Sequence, residues 1–297
     1  MTASYPIPPR TSSILSYRPE GAIKLAVYDW GDETNFPLIC VHGLTGTGRD
    51  FDFIAADLIQ HGFRVIAIDM PGRGLSDQTT EDGYTYDYYL ADLAALLTYA
   101  GATEPGSCDW LGVSMGGLLG MRIAGLPHSP IRRLVLDDIG CEVPQADLDA
   151  ISAYLAYDHI YENRAVIKAL MIQNNKGPFS NGDLADVHWE HRLDTRIRLL
   201  DGGKVGLLWD KRLAVKFGTE PIGSEDYWPL WANTPQPVLA LRGGLSTLFP
   251  EHIAARMQAE KQGAPMDLVV IPDCGHVPPL LTQDQITVVR DWLLLPA

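Results

Sequence analysis

No run of 18 uninterrupted apolar residues occurs in the sequence, so no membrane-crossing helix is expected. Positive charge is scarce: 23 Lys and Arg stand against 37 Asp and Glu, a formal charge of −14. A chain of this balance lacks the basic surface that a phosphate backbone requires, so nucleic acid is not an expected partner. The same charge disfavours a strongly anionic substrate unless local arginines override it. Cysteines number four (Cys40, Cys108, Cys141 and Cys274), and none forms a C-x-x-C pair. A zinc ribbon or a redox motif is therefore not indicated, and small buried thiols in a reducing compartment are expected. Residues 1–18 lack the apolar centre of a secretory leader, which points to a cytoplasmic protein. H-E-x-x-H is missing, and no glycine-rich stretch has Walker or dinucleotide spacing, so neither a metal nor a nucleotide cofactor is expected.

What is present suits one large α/β domain. The chain has 297 residues, 46% of them apolar, enough for a substantial core. Residues 1–20 read as a loose arm. Ile23–Trp30 alternates as a strand does, and Pro37–Val41 and Phe63–Ile68 are short apolar runs of the kind buried on both faces of a sheet. Tyr86–Tyr99 carries Leu90, Leu93, Leu96 and Leu97 on one helical face. Strands then alternate with helices through Arg133–Asp137 and, after a gap, from Val238 onwards. That rhythm predicts a mostly parallel central sheet flanked by helices, with ligands at the carboxyl ends of its strands. The rhythm stops between Cys141 and Tyr227, where helical patterns dominate: Ala146–Tyr157, Arg164–Asn174, Asp183–Leu200 and Trp209–Phe217. We divide the chain into a first core part (1–141), a helical cap (142–227) and a second core part (228–297).

The chemical signal centres on Gly112-Val113-Ser114-Met115-Gly116, a G-x-S-x-G match between an apolar strand-like stretch and an apolar helical one. A strand that turns at once into a helix strains its turn residue and lifts the serine oxygen clear of the main chain. His42-Gly43-Leu44, Asp69 to Ser76, and Gly275-His276 also fall at strand ends. Together these residues resemble the α/β-hydrolase family: its H-G-x oxyanion loop, its D-x-x-G-x-G-x-S loop, its nucleophile elbow and its late catalytic histidine. The resemblance runs from about residue 20 to the C-terminus, with the cap at the family's usual insertion point after the strand that follows the elbow. It implies a cofactor-independent serine hydrolase, Ser114 as nucleophile, His276 as base, and the Leu44 and Met115 backbone N–H groups as the oxyanion hole.

Within the family, Leu241-Arg242-Gly243 and Gly275 to Leu280 resemble a bacterial group of lidded, esterase-like hydrolases. Those read R-G-x-x-S-D where this chain reads Arg242-Gly243-Gly244-Leu245-Ser246-Thr247. Threonine supplies no negative charge to steady an imidazolium. Three arrangements remain open. Asp138, 24 residues after Ser114 and at the end of the neighbouring strand, is the favoured acid, as in members of the family that take it from there. Asp137 competes, since successive strand side chains point to opposite faces. A Ser–His site without a carboxylate is the third.

His42 is read as a brace of its loop, and Asp69, Arg73 and Ser76 as local fasteners of theirs. His188 and His191 could present two ligands from one helical face, but no third is evident, and they are read as cap polarity. Trp189, Trp209 and Tyr157 are read mainly as cap core. The expected substrate is a small acyl compound, an ester or lactone. Cleavage of a C–C bond or of an amide or enamide at the same site, and a ligand-binding member with little turnover, are the alternatives. Monomer and homodimer both fit.

Overall fold

In a computed structural model, which describes residues 5–217 and 227–296, eight strands form one sheet. They are β1 (Arg10–Arg18), β2 (Gly21–Trp30), β3 (Phe36–Val41), β4 (Phe63–Ile68), β5 (Cys108–Val113) and β6 (Ile131–Asp137). After an excursion come the last two, Val238–Gly243 and Met266–Ile271. The excursion holds three short strands, β7 (Ile160–Tyr161), β8 (Ile197–Leu199) and β9 (Val205–Leu207), so the last two core strands are β10 and β11. The order across the main sheet is β1-β2-β4-β3-β5-β6-β10-β11. β1, β2 and β4 pair antiparallel, and every later neighbour is parallel.

Helices α1 (Asp52–Leu58), α2 (Tyr86–Ala100) and α3 (Met115–Ala124) belong to the first core part. The excursion contributes α4 (Gln145–Ala156), α5 (Arg164–Gln173), α6 (Asp186–Arg196) and α7 (Leu213–Phe217). The chain closes with α8 (Trp228–Ala232), α9 (Glu251–Glu260) and α10 (Gln283–Leu293). The continuous apolar strands are explained by the two faces of the sheet. On β3, Ile39 and Val41 pack toward α2 and α3, while Leu38 and Cys40 pack toward α1 and α10. A period of two on a doubly covered strand leaves no polar position. Each of these four side chains is fully buried, and burial of such a residue stabilises by about 1.5–3 kcal/mol. All four cysteines are buried, and none of them forms a disulfide. No helix among the described residues is long and apolar enough to cross a membrane.

Two expectations need correction. Residues 10–18 are not a loose arm but an edge strand, registered along its whole length with β2 from Arg10↔Asp29 to Arg18↔Gly21. Most of its side chains face solvent, which erased the alternation that would have marked it. The excursion is also not purely helical. The helix expected over 183–200 ends at Arg196, and Ile197–Leu199 turns into β8, which pairs with β9 in a small antiparallel sheet. Strands of two or three residues exist through their partners and leave almost no local pattern. The last nine residues expected in the cap before Tyr227, 218–226, lie outside the described residues.

The excursion is moored to the core through the loop after β4. Gly74 donates to the Leu208 carbonyl at 2.9 Å, Asp210 donates through its amide to the Gly72 carbonyl at 2.8 Å, and Tyr84 donates its hydroxyl to the Asp210 carboxylate at 2.5 Å.

Candidate active site

Ser114 stands between β5 and α3 with φ 49° and ψ −112°, a backbone that side-chain-bearing residues rarely adopt. The glycines around it are required by close approach. A Cβ on Gly112 would overlap the Gly116 carbonyl, and one on Gly116 would overlap the Val41 carbonyl of β3. The turn is also tied to the next strand, for the Ser114 amide donates to the Asp137 carbonyl at 2.9 Å.

His276, in the loop after β11, brings its Nε2 to 3.0 Å from Ser114 Oγ and its Nδ1 to 2.7 Å from Asp138 Oδ2. Asp138 is fully buried, sits just past β6 in the left-handed region at φ 53°, and is held from two further sides. The Gly243 amide donates to its Oδ1 at 2.7 Å and the Ser246 hydroxyl to its Oδ2 at 2.5 Å. A carboxylate gripped by three donors cannot rotate away from the imidazole. With Asp138 accepting at Nδ1, the histidine carries its proton there and leaves Nε2 free to accept from the serine.

Asp137 is turned elsewhere. Neither of its carboxyl oxygens has a hydrogen-bond partner. Burial, and then the neighbouring Asp138, push its pKa well above the usual carboxylate range. Thr247 is exposed and donates to Asp147 of α4 at 2.5 Å, outside this constellation. Ser246, one residue earlier, was not singled out from the sequence. The signal was present: it is the serine of the R-G-x-x-S segment, retained although the following residue is not an acid.

Leu44 and Met115 flank Ser114 in the cavity wall. Among the described residues neither amide donates to another protein group, so both are available to an oxygen on the substrate. Arg73 does more than fasten its own loop. Its Nε donates to the Leu44 carbonyl at 2.8 Å, one terminal nitrogen donates to Pro71 O at 2.7 Å and Tyr89 Oη at 2.8 Å, and the other lies 3.6 Å from Met115 Sδ. It thereby links Leu44 to Met115, the two residues expected to supply the oxyanion amides. His42 Nδ1 donates to Gly43 O at 2.6 Å while Nε2 accepts from the Met70 amide at 2.9 Å. Burial lowers its pKa to about 4, so it stays neutral as a brace. Asp69 accepts from the Gly48 and Leu75 amides and from Tyr28, and burial lifts its pKa to about 6. Ser76 donates to the Asp69 carbonyl at 2.5 Å.

His188 and His191 do not converge. His188 Nδ1 accepts from the Ala185 amide, and His191 Nε2 donates to the Arg49 carbonyl at 3.1 Å. No group of three metal-ligating side chains occurs among the described residues. Trp189 and Trp209 are buried, but Tyr157 is 64% exposed and so does not belong to the cap core.

The cavity splits at Ser114. One compartment is apolar, with Leu118, Val143, Leu148, Ile151, Leu213, Phe217 and Leu248 around three tyrosines. The other, on the His276 side, mixes Val277 to Leu281 with Asp50, Tyr154, Asn181, His191, Arg192 and Arg196. Neither the compartments nor the arginines could be read from the sequence, because both arise where the excursion meets the core.

Sequence comparison agrees with this architecture. The chain is 32% identical over 294 residues to the 3-hydroxybutyrate-oligomer hydrolase of Cupriavidus necator, covering 94% of this chain and 96% of that one. It is 26% identical to the 2-(acetamidomethylene)succinate hydrolase of Mesorhizobium japonicum, over 84% of this chain and 86% of that one. Among solved structures, an α/β-hydrolase from Novosphingobium aromaticivorans superposes with a TM-score of 0.80 at 28% identity, covering 95% of this chain and 98% of that one. The profile of the alpha/beta hydrolase family matches residues 38–289. The chain belongs to the α/β-hydrolase family and is a hydrolase.

Proposed function

We propose that the protein cleaves a small carboxylic ester through an acyl-enzyme on Ser114, without a cofactor. The observation that carries this reading is the unbroken relay from Ser114 Oγ through the His276 ring to Asp138 Oδ2, at 3.0 and 2.7 Å. His276 takes the serine proton as Oγ attacks the carbonyl carbon. The carbonyl oxygen gains its negative charge between the Leu44 and Met115 amides, the latter opening α3, where the helix dipole adds to the attraction. His276 then returns the proton to the leaving alcohol. In the second half, water gives a proton to His276, attacks the acyl carbon, and releases the acid and free Ser114. Asp138 keeps the imidazole in the tautomer that accepts from serine and balances its charge while protonated. Val143, Leu148, Ile151, Leu213 and Phe217, from the cap, wall the apolar compartment and shield the acyl-enzyme.

The Cupriavidus relative supports the ester class, since its name states hydrolysis of 3-hydroxybutyrate oligomers and the match spans nearly the whole of both chains. The Mesorhizobium relative favours a second reading, hydrolysis of an enamide at the same serine. A fluorophosphonate probe tests the shared chemistry: wild-type protein should be labelled at Ser114 and Ser114→Ala should not. Absence of label on the wild type would sink both readings. A panel of p-nitrophenyl esters against N-acyl enamines separates them, with turnover of the esters expected to be faster by at least about tenfold.

A further inference from the structure

One charge in the cavity has no use in the hydrolytic steps. α6 presents Arg192 and Arg196 about one turn apart, and both line the compartment on the His276 side. Arg196 is committed to Asp50, its Nε 3.0 Å from Oδ1 and a terminal nitrogen 2.7 Å from Oδ2. Arg192 has no such partner. Its Nε is sealed from solvent without a hydrogen bond, and among the described residues no hydrogen bond or ion pair reaches its guanidinium.

The other groups facing this space do not balance it. Asp50 is answered by Arg196 and by the Thr47 amide at 3.2 Å. Burial, with Asp138 beside it, pushes the Asp137 carboxyl toward its neutral form. His191, its pKa lowered chiefly by burial, adds no charge at neutral pH. Asp138 is fully engaged with His276, Ser246 and Gly243. Among the described residues of this compartment, Arg192 is the cation that no carboxylate touches, Asp50 attracting it only through space. Burial, with Arg196 nearby, draws the pKa of Arg192 down to about 9, which still leaves it charged at neutral pH. A guanidinium without a partner in a part-dehydrated cavity is costly, and its planar fork matches a carboxylate better than any neutral group.

The chemistry tells which half of the substrate meets it. The leaving oxygen must receive its proton from His276 Nε2, so the leaving group lies in the compartment that His276 lines. The acyl chain takes the apolar compartment, where none of the described lining residues is charged.

We propose, building on the ester-hydrolase reading above, that Arg192 determines specificity by binding a free carboxylate on the leaving alcohol. The preferred substrate is then an acylated short hydroxy acid with its own carboxyl unesterified. This reconciles an anionic substrate with a chain of net charge −14: the long-range field opposes it, while a single guanidinium at contact distance outweighs that field.

Three esters test the proposal: 3-(butanoyloxy)butanoate, its methyl ester, and monoethyl succinate, which carries its carboxylate on the acyl side. Wild-type kcat/KM should favour the first over the second by at least about 30-fold, a size in line with a charge-assisted hydrogen bond, and the third should be a poor substrate. Arg192→Met should collapse that preference to within about threefold, mainly through KM, and Arg192→Lys should restore part of it. Equal wild-type rates on the first two esters, or an equal loss on both in Arg192→Met, would overturn it. A second measurement needs no turnover. 3-Hydroxybutyrate is titrated calorimetrically into Ser114→Ala and into Ser114→Ala/Arg192→Met, with 1,3-butanediol as the neutral control. Carboxylate binding that disappears with Arg192 supports the proposal, and binding that is equal or undetectable in both overturns it. Failure of the hydrolase reading would show separately, as missing fluorophosphonate label, and the titration would still decide the role of Arg192.

Discussion

Replacing Asp138 by Asn isolates the contribution of its charge while keeping its shape. The wild-type carboxylate accepts on both sides: Gly243 N–H at Oδ1 (2.7 Å), and His276 Nδ1–H with Ser246 O–H at Oδ2 (2.7 and 2.5 Å). An asparagine has one oxygen for these two sides. If the oxygen stays on Gly243, the amide N–H₂ meets His276 and forces the imidazole to accept at Nδ1. The proton then moves to Nε2, where it faces Ser114 and blocks deprotonation. If the oxygen turns to His276, the N–H₂ opposes the Gly243 amide inside a fully buried pocket and the imidazolium still lacks its counter-charge. The first arrangement reproduces the wrong-tautomer fault known for serine triads, for which the handicap in kcat is about 10⁴-fold, equal to about 5.4 kcal/mol of barrier. The assay is steady-state hydrolysis of p-nitrophenyl butyrate, with fluorophosphonate labelling rate as the second readout. Asp137→Asn is the control: its carboxyl is buried without a hydrogen-bond partner, and the change should cost less than about threefold. Thr247→Ala should be similarly mild. An Asp138→Asn enzyme that keeps a tenth of wild-type kcat, or a Thr247→Ala enzyme that loses as much as Asp138→Asn, would refute the argument.

Arg73→Met should cut kcat about 10–100-fold with KM little changed, because the guanidinium that links Leu44 and Met115 is lost and the two amides drift from the oxyanion; equal kcat in a correctly folded variant would contradict this. His42, with its pKa lowered to about 4 by burial, stabilises the fold fully above its unfolded value near 6.5, and that stability is lost as pH falls through the window from about 6.5 to about 4. The His42 share of the stability, up to about 3 kcal/mol for a shift of this size, should be lost across that window, and the difference in melting temperature between wild type and His42→Gln should shrink there as pH falls. Leu148→Trp should fill the apolar compartment, so that octanoyl esters lose at least about tenfold in kcat/KM while acetyl esters change little; an unchanged chain-length profile would place the acyl group elsewhere.

The parts that were legible in the sequence are those with a local cause. β3 and β4 show as unbroken apolar runs because both of their faces are covered. Ser114 shows because its backbone strain demands glycines at fixed offsets from it. β1 and the short strands β7, β8 and β9 did not show. The first is mostly solvent-facing, and the others are defined by pairing alone. Strand alternation narrows the acid to Asp137 or Asp138, but the placing of Asp138 depends on Gly243 and Ser246, over a hundred residues away.

The sequence by itself determined the fold class and the positions of the elbow serine and the late histidine, since periodicity and backbone strain act over a few residues. Only the tertiary structure decided which carboxylate meets His276, how Arg73 links the two amides beside Ser114, and which arginine of α6 stays without an anion. Hydrogen bonds and ion pairs are satisfied in space rather than along the chain. Arg192 and Arg196 read alike in the sequence, and Asp50, brought against Arg196 from the far side of the cavity, is what makes them different.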